Sequence, residues 1–269
     1  MEQAWNEFID FLPGNWEVFR TWPIWRFLLL GLWVSARIAI YSIILSIIVG
    51  IIMAVARLAP LAPLRWAATT YIEIFRATPL LLLMFFIFFG AGRFNTGWAQ
   101  DVPIAQWFVD SNTGDLTATA SAVLALTFYN SAVVAEIMRA GILSISKGVI
   151  EASRALGLSY LQSMGYVAVP MALRRMAPGL VSQLITLFKD TSLAGLFLVF
   201  ELLRRGRILY DDPSRGNPTI EVLTVIALLY FIPCYALSLI AQRLERGPES
   251  RSRVAREARV AEVPGPAGA

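Results

Sequence analysis

The sequence predicts an all-α fold, a polytopic membrane helix bundle of about five transmembrane helices. Three observations predict it. Of the 269 residues, 57% are hydrophobic and only 16% are charged, against about 25% charge in a soluble domain. Several apolar runs reach the roughly 20 residues that carry a helix across a bilayer. Within the first of these runs, small residues recur every fourth position, the spacing of one helical face.

Composition also excludes functions. The chain has no histidine, which removes His-ligated metal sites, Ser-His-Asp and Cys-His nucleophiles and histidine relays together. The single cysteine, Cys234, lies inside an apolar run, so no internal disulfide forms and the residue reads as packing. The only lysines, Lys147 and Lys189, do not follow a Gly-x4-Gly phosphate loop. If the chain is driven by ATP, the nucleotide is therefore bound by another chain, and this one needs no cofactor. The net charge of +4 sits beside apolar segments and in the tail, which points to membrane orientation rather than to nucleic acid.

Residues 1–26 carry Trp5, Trp16, Trp22 and Trp25 among Glu2, Glu7, Asp10 and Glu17. This composition reads as an interfacial N-terminal segment rather than a signal peptide. The membrane domain is expected over 27–245 and a disordered, Arg/Glu-rich tail over 246–269. The first apolar run, 27–56, is divided by Arg37, so the span proper is expected over 38–56. Its Ser42, Ser46, Gly50 and Ala54 form a face suited to close helix packing.

Pro60 and Pro63 interrupt the next loop, and a second span follows over 78–91, with residues 71–77 starting it at the interface. Glu73 and Arg76 are spaced to pair on one helical face. Residues 92–116 read as a periplasmic loop with a short helix near 104–109. The third span, 116–137, holds Tyr129, Asn130 and Ser131 in its interior half. Two readings stand for these: lining a solute path, or bonding a neighbouring helix. The run Glu136-Ile137-Met138-Arg139-Ala140 echoes Glu73-Ile74-Phe75-Arg76-Ala77, which suggests similar helix ends at one membrane face.

A fourth apolar segment, 177–201, carries Lys189, Asp190, Thr191 and Ser192 near its centre. A charge at mid-bilayer costs roughly 2.5–3.5 kcal/mol on insertion scales. Adjacent helical residues point about 100° apart, so the two charges need not satisfy each other. They either tether other helices or face a polar cavity. Residues 204–218 read as a polar loop, and the last span is expected over 220–241, kinked at Pro233.

Between the third and fourth spans lies the stretch EASRALGLSYLQSMGYVAVP, residues 151–170. Gly157 can turn the chain between two short helices, and Pro170 suits the first turn of the helix that follows. The stretch is expected to form a bent arm on the membrane surface. Arg57, Arg65, Arg76, Arg139, Lys147, Arg154, Arg174 and Arg175 fall on the arm's side with the arginine-rich tail. The positive-inside bias then places the arm and C-terminus in the cytoplasm and the N-terminus outside.

The arm's Glu151-Ala152-Ser153, Gly157 and terminal Pro170 resemble the EAA loop in permease subunits of binding-protein-dependent ABC importers, with Ser153 where the family pattern has alanine. Arg76-Ala77-Thr78-Pro79-Leu80 resembles the Arg-Gly-Thr-Pro-Leu signature of the polar amino-acid branch. Lys189-Asp190-Thr191-Ser192-Leu193 and Glu201-Leu202-Leu203-Arg204-Arg205 are similar to further segments of that branch. The resemblance covers about 28–244. It implies an inner-membrane, non-enzymatic type I importer permease that passes a polar amino acid. It also implies a separate ABC ATPase engaged by the arm through Glu151, Ala152, Ser153, Gly157 and Pro170. A second permease and an external binding protein complete the implied assembly. Lys189, Asp190, Thr191 and Ser192 would line its pathway or gate, where Asp190 and Lys189 complement the ammonium and carboxylate of an amino acid. The alternatives are an ATP-independent channel and a membrane enzyme.

Overall fold

A computed structural model of the chain describes residues 6, 9, 14–94 and 113–245, the side chains of 91–94 excepted. Among these residues there are helices and one isolated bridge, Gly114–Val199, but no strand. A 3-10 turn, Trp16–Arg20, precedes the first long helix, α1 (Trp22–Arg57). This helix passes Arg37 without a break, so the division expected there does not occur. Nothing in the run from Trp25 to Arg57 breaks a helix, and arginine is itself a good helix former. At 36 residues α1 is about 54 Å long, so it extends well beyond the roughly 30 Å hydrocarbon core.

Helices α2 (Ala62–Ala77) and α3 (Leu80–Phe94) follow. They meet at a 104° bend measured between Ala62–Ala77 and Leu80–Gly90. Residues 71–77 therefore end one helix rather than begin the next span. The cause is Pro79: the residue before a proline is pushed away from helical geometry, and Thr78 is extended, with φ −83° and ψ 126°. The Thr78 hydroxyl closes the end of α2 by donating to the Ile74 carbonyl at 2.8 Å.

Asp115 caps α4 (Leu116–Leu143), its carboxylate accepting from the Ala118 N–H at 2.7 Å. The expected short helix near 104–109 lies outside the described residues. Beyond α4 come α5 (Lys147–Ala155), α6 (Tyr160–Ser163), a π turn over Met164–Ala168 and α7 (Val169–Asp190). The fourth apolar segment is not one helix to residue 201. α7 stops at Asp190, and a 3-10 turn, Thr191–Leu196, leads into extended chain. The buried Thr191 hydroxyl donates to the Phe188 carbonyl at 2.7 Å.

The expected polar loop over 204–218 contains another helix, α8 (Leu202–Tyr210), and a short 3-10 turn, Pro213–Arg215. Its start is set by Glu201, whose carboxylate accepts from the Leu203 and Arg204 N–H groups at 2.8 and 2.6 Å. α9 (Thr219–Glu245) then runs through Pro233 to the end of the described chain. Among the described residues, helices α1, α4 and α9 are long and apolar enough to cross a membrane, and the α2–α3 pair passes the same test only when its two bent halves are counted together. α7, at 22 residues, has the length for a fifth at about 33 Å, though it carries Arg174, Arg175, Lys189 and Asp190.

α1 packs lengthwise on α4 through the face expected from its small residues. Ser42 and Ser46 are fully buried and donate to the Val123 and Thr127 carbonyls at 3.4 and 3.2 Å. A Cβ on Gly50 would stand 2.6 Å from Val134 Cγ1 and 3.0 Å from the Ser131 carbonyl oxygen. One core cluster joins α1, α3, α4 and the end of α7, among them Ile38, Met84, Leu126 and Leu187. A second joins the arm to α1, α2 and α4 through Ala54, Ile72, Met138, Met164 and Ala168. The third holds the N-terminal segment against α8 and α9. Phe19 is buried there with Leu28, Leu202 and Val222, and the Asn15 N–H donates to Glu221 at 2.6 Å. The described part of the N-terminal segment is thus packed into the bundle; Trp5 lies outside the described residues.

Gly50→Val should force α1 from α4 and lower stability by about 1–3 kcal/mol, whereas Gly90→Ala, whose Cβ meets nothing within 4 Å, should leave the melting temperature in detergent unchanged. Equal melting temperatures for the two variants would contradict this packing.

Candidate functional site

The arm is defined by its turn. Gly157 has φ +87°, a region that costs other L-residues about 1–2 kcal/mol. Around it the Gly157 N–H donates to the Arg154 carbonyl at 2.9 Å, and the Leu158 N–H donates to the Ser153 carbonyl at 3.3 Å. These two bonds close α5 in a Schellman motif. Two residues on, Ser159 opens α6 with a capping box. Its hydroxyl accepts from the Gln162 N–H at 3.4 Å, and the Gln162 side chain accepts from the Ser159 N–H at 2.8 Å. The expected bend between two short helices is present, and its stop and start signals are complete. The Ser-x-x-Gln pattern was visible in the sequence and marks the same boundary as Gly157.

Pro170 lies in the first turn of α7, directly after the π turn. A proline cannot donate to the fourth preceding carbonyl and crowds it. A widened turn just upstream accommodates that loss without ending the helix. Helical structure consequently continues from Tyr160 to Asp190, about 45 Å. The arm and the Lys189–Asp190 pair are the two ends of one helical run, which carries Pro178 inside it.

Contacts to two parts of the bundle, and one across its own bend, hold the arm. The Tyr160 hydroxyl donates to the Val55 carbonyl in the last turn of α1 at 3.0 Å. Burial pushes its pKa up, so the phenol stays a proton donor across the physiological range. Arg175 donates to the Ser144 carbonyl and hydroxyl at 2.7 and 2.8 Å, tying α7 to the end of α4. Ser153 is buried and donates to the Ile150 carbonyl at 2.7 Å and to the Ser163 hydroxyl at 3.0 Å. The serine that stands in place of alanine thus gains a partner across the bend. Neither Tyr160 nor Ser163 was singled out by the sequence, because their partners are 105 and 10 residues away.

The outer side of the arm is bare. Glu151, Ala152 and Gly157 are exposed, and so are Leu156, Leu161 and Tyr166, at 84%, 72% and 75%. Large apolar side chains this open beside charged ones mark a contact surface.

Next to the arm, Arg57 of α1 pairs with Glu136 of α4 and lies 3.2 Å from Glu73 of α2, while Arg139 contacts Glu136 at 2.9 Å. Glu73 therefore pairs with Arg57 rather than with Arg76. The two echoing sequence runs meet here, one carboxylate from each, on a shared arginine.

At the other end of the helical run, α7 presents an exposed line of Ser182, Thr186 and Lys189, with Asp190 half-buried beside it and Ser192 half-buried beyond. Lys189 and Asp190 attract each other electrostatically. Asn130 is fully buried and accepts from Gln183 of α7 at 2.5 Å. Ser131 is buried and bonds the Tyr71 hydroxyl of α2 at 2.7 Å, and Tyr129 is half-buried in the first core cluster. Of the three, Asn130 is the one bonded to α7.

Opposite, Glu201 is fully buried and accepts from the Tyr230 hydroxyl at 2.9 Å. Ser35 of α1 lies 3.3 Å from that hydroxyl and accepts from the Leu202 N–H at 3.4 Å. Helices α1, α8 and α9 thus meet on one carboxylate, which the sequence placed only at a segment end. Among the described residues no cluster of side chains is suited to hold a metal ion.

Long apolar helices packed into a bundle, with an exposed bent arm at one end, define a multi-pass membrane protein. The family described as binding-protein-dependent transport system inner membrane component matches residues 46–247, and the chain belongs to it. It is 39% identical over 215 residues to the protein named probable glutamine ABC transporter permease protein GlnP of Bacillus subtilis, covering 80% of this chain and 90% of that one. It is 34% identical to the glutamate transport system permease protein GluD of Corynebacterium glutamicum, over 93% of this chain and 85% of the relative. Among solved structures, an amino acid ABC transporter crystallised with histidines is similar at a TM-score of 0.64 and 26% identity, over 82% of this chain and 94% of that chain. The inward-facing MetNI methionine transporter shares the fold at a TM-score of 0.59 and 22% identity, over 84% of this chain and all of that one. The chain is a multi-pass membrane protein of the permease class.

Tyr160→Phe should free the arm from α1, at a cost of about 1 kcal/mol, and raise amide hydrogen exchange over residues 156–164. Unchanged exchange there would show that this bond does not hold the arm.

Proposed function

We propose that this chain is the permease subunit of an importer for a polar amino acid, driven by ATP hydrolysed on a separate subunit that grips residues 151–170. The observation that carries the reading is the continuous helical run from Tyr160 to Asp190. A partner that moves the exposed arm moves the polar end of α7 inside the membrane. Leu156, Leu161 and Tyr166 supply an apolar footing for the ATPase, Glu151 an ionic contact, Gly157 the bend, and Ala152, Ser153 and Pro170 its shape. An external binding protein delivers the solute, and a second permease completes the path, because five helices do not readily enclose one. The relatives named for glutamine and glutamate support a polar amino acid as cargo.

The orientation follows from charge. Arg57 and Arg139, assigned to the cytoplasmic side by the positive-inside bias, converge on Glu136 close to the arm. The N-terminus is then outside and the C-terminus inside. Lys189, Asp190, Thr191 and Ser192 line the pathway or its outer gate. Gln183 is level with Asn130, and Lys189 lies six residues, about 9 Å, nearer the outer end of α4. Ionised groups facing lipid at that depth are costly, so they face a wet path or another protein. Asn130 and Ser131, bonded to α7 and α2, support the pathway wall together with Tyr129. The chain itself performs no chemistry and binds no cofactor.

Purification from membranes with the genomic neighbours co-expressed should yield an ATP-hydrolysing subunit, and uptake of labelled glutamine or glutamate should depend on this gene. A purified chain that conducts solute with no ATPase would overturn the reading. Lys189→Met and Asp190→Asn should each abolish uptake while the complex assembles; normal uptake by both would remove them from the path. A Cβ at Gly157 meets no neighbour within 4 Å, so Gly157→Val acts chiefly through its backbone. It should leave ATP hydrolysis running while uptake falls about tenfold, in line with a strain of 1–2 kcal/mol; full uptake would contradict the arm's role.

A further inference from the structure

The repeated run Glu-Ile-x-Arg-Ala, at 73–77 on α2 and 136–140 on α4, folds into two unequal copies. On α4 the run is closed on itself. Arg139 holds Glu136 through Nε at 3.0 Å and through a terminal nitrogen at 2.9 Å, three residues apart on one helical face. On α2 the run is open. Glu73 turns instead to Arg57, 3.2 Å away at the end of α1. Arg76 is exposed and makes no hydrogen bond or ion pair among the described residues, although it attracts Glu136 electrostatically.

Glu73 therefore stands between two guanidinium groups of the same chemistry. One belongs to another helix. The other lies three residues along its own, at the spacing that the α4 copy shows to close. The Arg57–Glu136 pair does not share this freedom. Its side chains are 21% and 20% exposed, so parting them would leave two largely desolvated charges. The Glu73 side chain is 60% exposed, and an exposed pair holds weakly. Moving Glu73 from Arg57 to Arg76 leaves each carboxylate of the cluster with a cation, because Arg57 stays on Glu136 while α2 comes away from α1.

The arm reaches the same place. The Tyr160 hydroxyl holds the Val55 carbonyl, two residues before Arg57, so movement of the arm is felt in the turn that presents Arg57. We infer, on the reading of the arm as the ATPase contact, that Glu73 is a positioning residue for transport: it binds Arg57 while the arm is seated on α1 and passes to Arg76 when the arm moves. The exchange frees α2, and with it the Thr78–Pro79 corner and α3, without leaving an ion unpaired. It gives the arm a second line into the membrane besides α7.

The test uses the full chain co-expressed with its genomic neighbours. ATP hydrolysis is measured in membrane vesicles, and uptake of labelled glutamine and glutamate in cells. Glu73→Gln removes the carboxylate from both arginines, so hydrolysis without solute should rise about fivefold while uptake per ATP falls. Arg76→Gln removes only the receiving cation and keeps Glu73 on Arg57, so hydrolysis and uptake should both fall about fivefold, the most that an exposed pair is worth. Melting temperatures of both variants should match that of the unaltered complex. The double variant should behave as Glu73→Gln alone, because Arg76 acts only through Glu73. Single variants that leave hydrolysis unchanged or shift it in the same direction, or an Arg76→Gln effect that persists without Glu73, would overturn the inference and leave the importer reading standing. An unaltered complex with no ATP-driven uptake would overturn that reading and this inference with it.

Discussion

Everything proposed for this protein depends on helical continuity across Pro170. A proline inside a helix removes one backbone bond and clashes with the preceding turn, and in most contexts it would separate the arm from the membrane helix. Here the π turn over Met164–Ala168 absorbs the misfit. One helical run therefore reaches from Tyr160, packed against the last turn of α1, to Asp190. The run is continuous in hydrogen-bonded helix but carries a second proline, Pro178, inside α7, a residue that kinks a helix without ending it. The bundle supplies the fulcrum: Tyr160 on Val55, Arg175 on Ser144, and Ala168 and Ala172 buried against α4.

The second constraint is how closely α1 and α4 approach. Ser42, Ser46, Gly50 and Ala54 remove side-chain bulk at every fourth position, and the two serines bond carbonyls of α4 rather than of their own helix. In lipid there is no hydrophobic gain from bringing helices together, so dispersion and such bonds must supply the attraction. The arginine-carboxylate cluster of Arg57, Glu73, Glu136 and Arg139 closes the arm-side end of the same seam. α7 is joined to this α1–α4 frame through Arg175 on Ser144 and Gln183 on Asn130.

Much of this was legible in the sequence. Apolar run length gave the helix bundle, fourfold spacing gave the α1 face, and Gly157 gave the bend. The arm's boundary was written twice, in Gly157 and in Ser159–Gln162. What failed to show were features set by chain connectivity over long distances or by a single backbone angle. Thr78 turns α2 from α3 because of the proline after it, yet helix-forming residues on both sides mask the corner. Glu201 reads as the end of a span, and only folding brings Ser35 and Tyr230 to it. Glu73 sits at helical spacing from Arg76, but Arg57 from another helix is the cation that reaches it. Local pattern could not rank those two arginines.

The most direct measurement is the reactivity of a cysteine at Thr186, on the open line of α7, in the assembled complex carrying Cys234→Ala. A membrane-impermeant maleimide applied from outside should react at rates that differ several-fold between the nucleotide-free complex and the complex held with a non-hydrolysable ATP analogue. The helical run would then be transmitting movement from the arm to the membrane interior. Identical rates in the two states, with the ATPase demonstrably bound, would contradict the account.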